Sequence, residues 1–205
     1  MSGFGLVLLV LAAYLLGATP TSYIAGKIGR GIDLREHGSR NLGATNVYRV
    51  LGWKYAIPVG LADTAKGAVS VAVLGSRSGG PAWFPVLLGL AAVLGHVSSP
   101  YVRFRGGKGV ATAAGVFLAL APLAVAISLP IWVGTLWVFG YVSVASLTVA
   151  VLFPVWVLLT RPGAPYTFGA SVALALLIVY AHRANIRRLL DGTENRFRTR
   201  KGMAV

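Results

Sequence analysis

The run Phe104-Arg105-Gly106-Gly107-Lys108-Gly109-Val110-Ala111 sets two basic side chains and three glycines where one apolar stretch ends and another begins. Lipid does nothing to stabilise such a composition. Glycines that open a helix leave backbone N–H groups free, and an adjacent lysine adds a point charge, so together they suit a phosphate. The GxxxxGK[ST] spacing of a nucleotide loop is absent. The run also suits a flexible inter-helix loop. His96, which follows Gly95 and precedes Pro100, also reads as a hydrogen-bonding residue at a helix end.

Two further polar clusters stand apart from the apolar stretches. The first is Gly38-Ser39-Arg40-Asn41-Leu42-Gly43-Ala44-Thr45-Asn46, followed by Arg49. It fits an anion-binding loop with Arg49 forked onto phosphate oxygens. Taken alone, it fits better a turn in which Ser39 or Thr45 caps a helix. The second runs from His182 to Glu194. His182 and Asn185, at i, i+3, share a helix face, and Gly192 suits the helix end. A basic helix end that snorkels to the interface accounts for the arginines here. It leaves the histidine, the asparagine and Glu194 unexplained.

Inside an apolar stretch, Asp63 and Lys66 also stand at i, i+3. Charges at that depth are costly and should pair or face a polar interior. A structural anchor and a part in catalysis both remain open for them. Tyr141, Ser143 and Ser146 fall at an expected turn back into the membrane, although serines on an apolar helix are usually packing residues.

The elements that position these clusters follow from composition. Of 205 residues, 56% are hydrophobic and only 12% charged, against about 25% in a soluble domain. Mean hydropathy is +0.74. The apolar runs are continuous rather than alternating, which argues for helices over a β-barrel. Residues 1–26 lack a basic n-region and read as a first membrane span, not a cleaved signal. There is no cysteine, hence no thiol nucleophile, and the three histidines lie too far apart for a metal site.

The stretch Val110–Thr160 carries no charge. As one helix it would be about 75 Å long against about 30 Å of hydrocarbon, so it must fold back, with Pro122, Pro130, Gly134 and Gly140 as candidate breaks. Sixteen of nineteen basic residues fall in the 27–54 loop, the 101–108 loop and the tail. The positive-inside rule puts all three in the cytoplasm and leaves Arg77 and Arg161 outside. Lys108 inside and Arg161 outside need an odd number of crossings, and three fit the length. The expectation is therefore an all-α, polytopic integral membrane protein of seven transmembrane helices, N-terminus outside and C-terminus cytoplasmic. Five spans, with part of 110–160 looping back, is the alternative. The net charge of +14 then sets topology and is no nucleic-acid signature. Residues 195–205 are expected to be a frayed basic tail near anionic headgroups.

All three clusters thus face one side of the membrane, and together they suit a doubly anionic substrate next to acyl chains. These residues resemble the acyl-phosphate:glycerol-3-phosphate acyltransferase family of bacterial membrane enzymes. The first motif is similar to Gly38-Ser39-x-Asn41-x-Gly43-Ala44-Thr45-Asn46. The second is similar to Gly95-His96 through Gly106-Gly107-Lys108-Gly109-Val110-Ala111-Thr112. The third is similar to His182-Arg183-x-Asn185-Ile186 through Gly192-Thr193-Glu194. Asp63-x-x-Lys66-Gly67 also fits. Arg40 stands where the family usually has glycine, Leu42 where proline is frequent, and Arg105 where lysine is usual.

The resemblance implies one acyltransferase domain over 1–205 in the bacterial inner membrane, without a cofactor and monomeric. Its partners would be glycerol 3-phosphate, acyl phosphate and membrane lipids. Ser39, Arg49, Lys108, His182, Asn185 and Ser146 would hold glycerol 3-phosphate. Asn41, Gly43, Thr45, Asn46 and the backbone of Gly106, Gly107 and Gly109 would hold acyl phosphate, with Asp63, Lys66, His96, Ser143 and Glu194 in support. Five residues after His37, His96 and His182 stand Leu42, Tyr101 and Arg187, so the His-x-x-x-x-Asp dyad of other glycerolipid acyltransferases is missing. In the resembled family the substrate's own phosphate assists removal of the hydroxyl proton. A transporter or flippase for an anionic solute is the competing class. It would usually show repeat symmetry and a midplane site, and the sequence has no evident repeat.

Overall fold

The computed structural model describes residues 2–76 and 78–197, and every regular element among them is helical. Arg77 and the tail from 198 to 205 lie outside the described residues. Helices α1 (Gly3–Ala18) and α2 (Thr21–Arg30) form one 28-residue apolar path. It is broken at Thr19, whose extended backbone (ψ 117°) is what a following proline enforces. Then come α3 (Ala44–Leu51), α4 (Trp53–Val69) continuing through a π turn at Ser70–Leu74, and α5 (Phe84–Val97).

The uncharged stretch folds into α6 (Val110–Leu120), α7 (Pro122–Phe139) and α8 (Val142–Thr160). Two of the four candidate breaks are used. Pro122 opens α7, and Gly140, at φ +77°, ends it. Pro130 lies within α7, as does Gly134. Helices α9 (Pro165–Ala181) and α10 (Arg183–Leu190) meet at His182 with a bend of 54°.

Five of these paths are long and apolar enough to cross a membrane, and α9 with α10 would make six. Helix α6 has 11 residues, about 16 Å, where a full span needs about 20 residues. It is short because Pro122 restarts the chain in a new direction.

Glycines let the helices approach closely. A Cβ on Gly17 or Gly95 would collide with the Ala92 or Tyr14 carbonyl, which locks α1 against α5. Gly67 and Gly115 do the same against the Thr112 and Thr64 carbonyls and join α4 to α6. Without a hydrophobic driving force in lipid, such backbone approach is what holds helices together. One core joins α5 to α9 through residues such as Val93, Val116, Phe153 and Leu174. A smaller one seats the 31–43 loop on α3 and α4 through Leu34, Leu42, Val47 and Val59. Leu42, at the family's frequent proline position, is thus a core residue.

The buried charges in α4 pair as their depth demands. Lys66 Nζ lies 2.7 Å from Asp63, and Asp63 accepts from the Thr21 hydroxyl at 2.6 Å. Lys66 also donates to the Thr19 carbonyl at 2.9 Å and approaches His96 Nδ1 at 3.4 Å. The α1–α2 break, α4 and α5 are tied together at this point.

Candidate active site

A cavity of about 440 Å³ lies among α3, α4 and α6–α10 and reaches the three polar clusters. One end is polar, with Ser39, Asn41, Thr45, Arg49, Lys108, His182, Asn185 and Glu194. The other is mainly apolar, with Phe117, Val149, Ala150, Phe153 and Leu174 among its lining residues. The Phe117 and Phe153 rings pack 4.6 Å apart, and one turn deeper Ala121 and Val157 are fully buried. Ser143 and Phe153 both line it, so it follows α8 for ten residues, or about 15 Å.

The 33–46 loop is shaped by side chains that grip its backbone. Asn46, 1% exposed, donates from Nδ2 to the carbonyls of Leu34 (3.1 Å) and His37 (3.0 Å), and its Oδ1 accepts from Ser39 N–H (2.7 Å). Every polar atom of its amide is thereby engaged by the loop, which corrects the expectation of an acyl-phosphate ligand: Asn46 positions its neighbours. Asp33 and Arg35 form a forked pair, and Arg35 Nη1 donates to the Val102 carbonyl, so the first loop is pinned beside the second. Gly43, not Ser39 or Thr45, caps α3, without a side-chain bond. The side chains of Ser39, Asn41 and Thr45 have no hydrogen-bond partner among the described residues and line the cavity. Arg40 sits at φ +59°, a left-handed conformation that explains why glycine suits this position.

In the second loop Gly106 and Gly107 also depart from expectation. Their N–H groups donate to the carbonyls of Val97 and His96, both at 3.1 Å, and neither residue lines the large cavity. A Cβ on either would collide with His96. They are glycines because the loop folds flat onto His96, and they cannot also offer N–H groups to a phosphate. Gly109 (φ +80°) caps α6 with no side-chain cap. The first-turn N–H groups of α6 are therefore without helical partners beside the lining residues Gly109, Val110 and Ala111.

Lys108 donates to Asn185 Oδ1. Asn185 Nδ2 donates to Glu194 Oε1 at 2.6 Å, and the same oxygen accepts from Ser143 at 2.9 Å. Arg188 Nε lies 2.7 Å from Glu194 Oε2. Burial alone would raise the Glu194 carboxyl, but these donors outweigh it and hold it below the usual carboxylate range. Burial, reinforced by Arg188 and Arg49, draws Lys108 down to about 8 against the opposing pull of Glu194. One carboxylate thus pairs with Arg188 and, through Asn185, reaches Lys108.

His182 Nδ1 donates to the Ile178 carbonyl at 2.8 Å, which leaves Nε2 as the acceptor of the neutral ring. Ser146 accepts from Trp132 Nε1 at 3.2 Å, midway along the wall. Asp63 and His96 reach the wall, while Lys66 does not line it. Arg188, Trp132 and the 195–197 segment belong to this site or its rim but did not emerge from the sequence. An arginine in a basic run and a tryptophan in an apolar helix carry no distinguishing signal.

The sequence matches the glycerol-3-phosphate acyltransferase family over residues 7–192. It is 44% identical over 204 residues to a glycerol-3-phosphate acyltransferase of Desulforudis audaxviator, covering 98% of this chain and all of the relative. A Geotalea daltonii relative of the same name is 46% identical over 94% of this chain and 97% of its own. A crystal structure of PlsY, an integral membrane glycerol 3-phosphate acyltransferase in its glycerol 3-phosphate form, superposes with a TM-score of 0.88. It is 39% identical and covers 95% of this chain and 96% of its own. A lysophosphatidic acid form of PlsY gives 0.86 at 38% identity, over the same shares of the two chains. The cavity, its cation-rich end and these likenesses agree, and this multi-pass membrane chain belongs to the glycerol-3-phosphate acyltransferase family.

Proposed function

We propose that the protein transfers an acyl group from an acyl phosphate to a hydroxyl of glycerol 3-phosphate, giving 1-acylglycerol 3-phosphate and inorganic phosphate. The observation that carries this reading is a single cavity, cationic at one end and apolar at the other. That shape fits a phosphorylated acceptor and an acyl tail meeting at the boundary. A solute transporter has no use for so long an apolar arm beside the cationic end.

Arg49 and Lys108 hold the acceptor phosphate, one as a planar fork and the other as a point charge. Ser39, His182 and Asn185 orient the glycerol, with Ser146 further along the wall. Asn41, Gly43 and Thr45, together with the first-turn N–H groups of α6, face the acyl phosphate and the charge that develops on its carbonyl oxygen. The glycerol oxygen attacks the acyl carbon, and the bond to the bridging phosphate oxygen breaks. The electron pair leaves with phosphate, which is a good leaving group, so the nucleophile needs little activation. A substrate phosphate takes the hydroxyl proton. Holding both anions in one pocket removes much of the entropic barrier.

The seven-span topology gives α6 the short fourth span, with α7, α8 and α9 completing the count. In this reading the cationic end faces the cytoplasm from the bacterial inner membrane, and the protein works as a monomer among its lipids. The test is donor dependence. Purified protein with glycerol 3-phosphate should release phosphate from acyl phosphate but not support transfer from acyl-CoA or acyl-carrier protein. Transfer from those thioesters alone would overturn the reading.

A further inference from the structure

Residues 193–197 leave α10 through Gly192, at φ +69°, and turn back over the polar end of the cavity. On one side the Asn195 carbonyl accepts from Arg49 Nη2 at 3.2 Å, and the Phe197 ring stacks on Tyr48 at 5.1 Å between centroids. On the other, Phe197 N–H donates to the Gly140 carbonyl at 2.7 Å. Arg196 Nε donates to the Tyr141 hydroxyl at 3.0 Å, with its guanidinium 5.2 Å from the ring centre. Each grip falls next to the site. Tyr48 precedes Arg49, and Tyr141 precedes the lining residues Val142 and Ser143. The segment expected to be a frayed tail is therefore fastened at both rims through residue 197, and it lies beyond the family match, which ends at 192.

We propose that residues 194–197 form a latch in which Arg196 and Phe197 are positioning residues, holding Glu194 and the Asn195 carbonyl against Asn185 and Arg49. The inference rests on the reading of this end as the glycerol 3-phosphate site. A guanidinium has five N–H donors in a rigid fork. Spending one of them on a backbone carbonyl fixes the plane of Arg49 and leaves the others for a phosphate. Glu194 likewise holds Asn185, which receives Lys108. The latch thus orients both cations without touching the substrate. Asn195, Arg196 and Phe197 are exposed, so they add little to folding and their effect should appear in acceptor binding.

The experiment is steady-state kinetics of full-length Phe197→Ala, Arg196→Ala and Phe197→Tyr proteins with glycerol 3-phosphate and an acyl phosphate. Phe197→Ala should raise KM for glycerol 3-phosphate about two- to tenfold, the range a stacked aromatic pair supplies. Turnover and donor KM should stay within about twofold, since only acceptor binding is altered. Arg196→Ala should act in the same direction, and Phe197→Tyr should restore the parent value. An unchanged acceptor KM in both alanine variants overturns the latch, as does an equal rise in donor KM that tyrosine does not restore. If Phe197→Ala fails to fold, Tyr141→Phe, which removes one hydroxyl from the same latch, must raise the acceptor KM or the proposal falls. If the parent protein does not use glycerol 3-phosphate at all, the site reading fails instead, and that is seen before any variant is made.

Discussion

A buried and a half-buried cluster of charge stand in this bundle, and they are built to opposite plans. In the Asp63–Lys66 cluster one acid meets one base at 2.7 Å, and both find further partners in Thr21 and Thr19. Its charge is balanced and its donors are spent. In the second cluster Glu194 pairs with Arg188 alone among the described residues, Lys108 and Arg49 donate instead to Asn185 and to the Asn195 carbonyl, and the hydroxyls of Ser39 and Thr45 nearby are unpartnered among the described residues. The balanced cluster anchors helices. We propose that the unbalanced one takes a phosphate monoester, which carries about two negative charges above its second pKa of about 6.

The contrast can be broken by removing one member from each cluster. Lys66→Ala leaves Asp63 uncompensated in the membrane interior, and thermal unfolding should show a loss of about 3–5 kcal/mol. Lys108→Ala and Arg49→Ala should fold normally and lose about 10²–10³-fold in kcat/KM, the scale of a lost preorganised electrostatic contact. Near-normal turnover in either purified variant would remove that residue from the site.

The apolar end responds differently. Ala150 lines it and is 5% exposed. Ala150→Phe should raise the KM for long-chain acyl phosphates about tenfold while leaving acceptor KM alone, at a stability cost of about 1–3 kcal/mol from overpacking. Kinetics with short and long donors would show it, and an effect equal for both lengths would deny the acyl assignment.

A pH profile sharpens the assignment of Lys108. Its ammonium is depressed to about 8, so it is charged below that value and neutral above it. The KM for glycerol 3-phosphate should rise as pH climbs through about 8, and Lys108→Arg should move that rise to higher pH. The smallest effect is expected at Arg40, which holds a left-handed backbone without a glycine's freedom. Arg40→Gly should change stability by no more than about 1 kcal/mol, in the stabilising direction, as read by melting.

The helical architecture was legible because an uncharged stretch of some fifty residues admits few solutions in lipid. Its breaks were half legible. Pro122 and Gly140 act as breaks because each also meets a change of chain direction. Pro130 is absorbed within α7, and proline in a membrane helix is tolerated where neighbouring groups satisfy the freed carbonyl. Arg49, Lys108, His182, Asn185 and Glu194 were legible as polar residues that apolar packing could not explain, and the fold brings them to one cavity. Gly106, Gly107 and Asn46 look like ligands in the sequence because it shows residue types and not which donors are already engaged. Arg196 and Phe197 gave no signal, since a basic tail looks the same whether it is free or fastened.

The most direct test of the unbalanced cluster is equilibrium binding of glycerol 3-phosphate, without donor, to the parent protein and to Lys108→Ala and Arg49→Ala proteins of unchanged melting temperature. Affinity should fall at least about tenfold in each variant, as expected for a lost charge-assisted bond. Parent-like affinity in both variants would contradict the account.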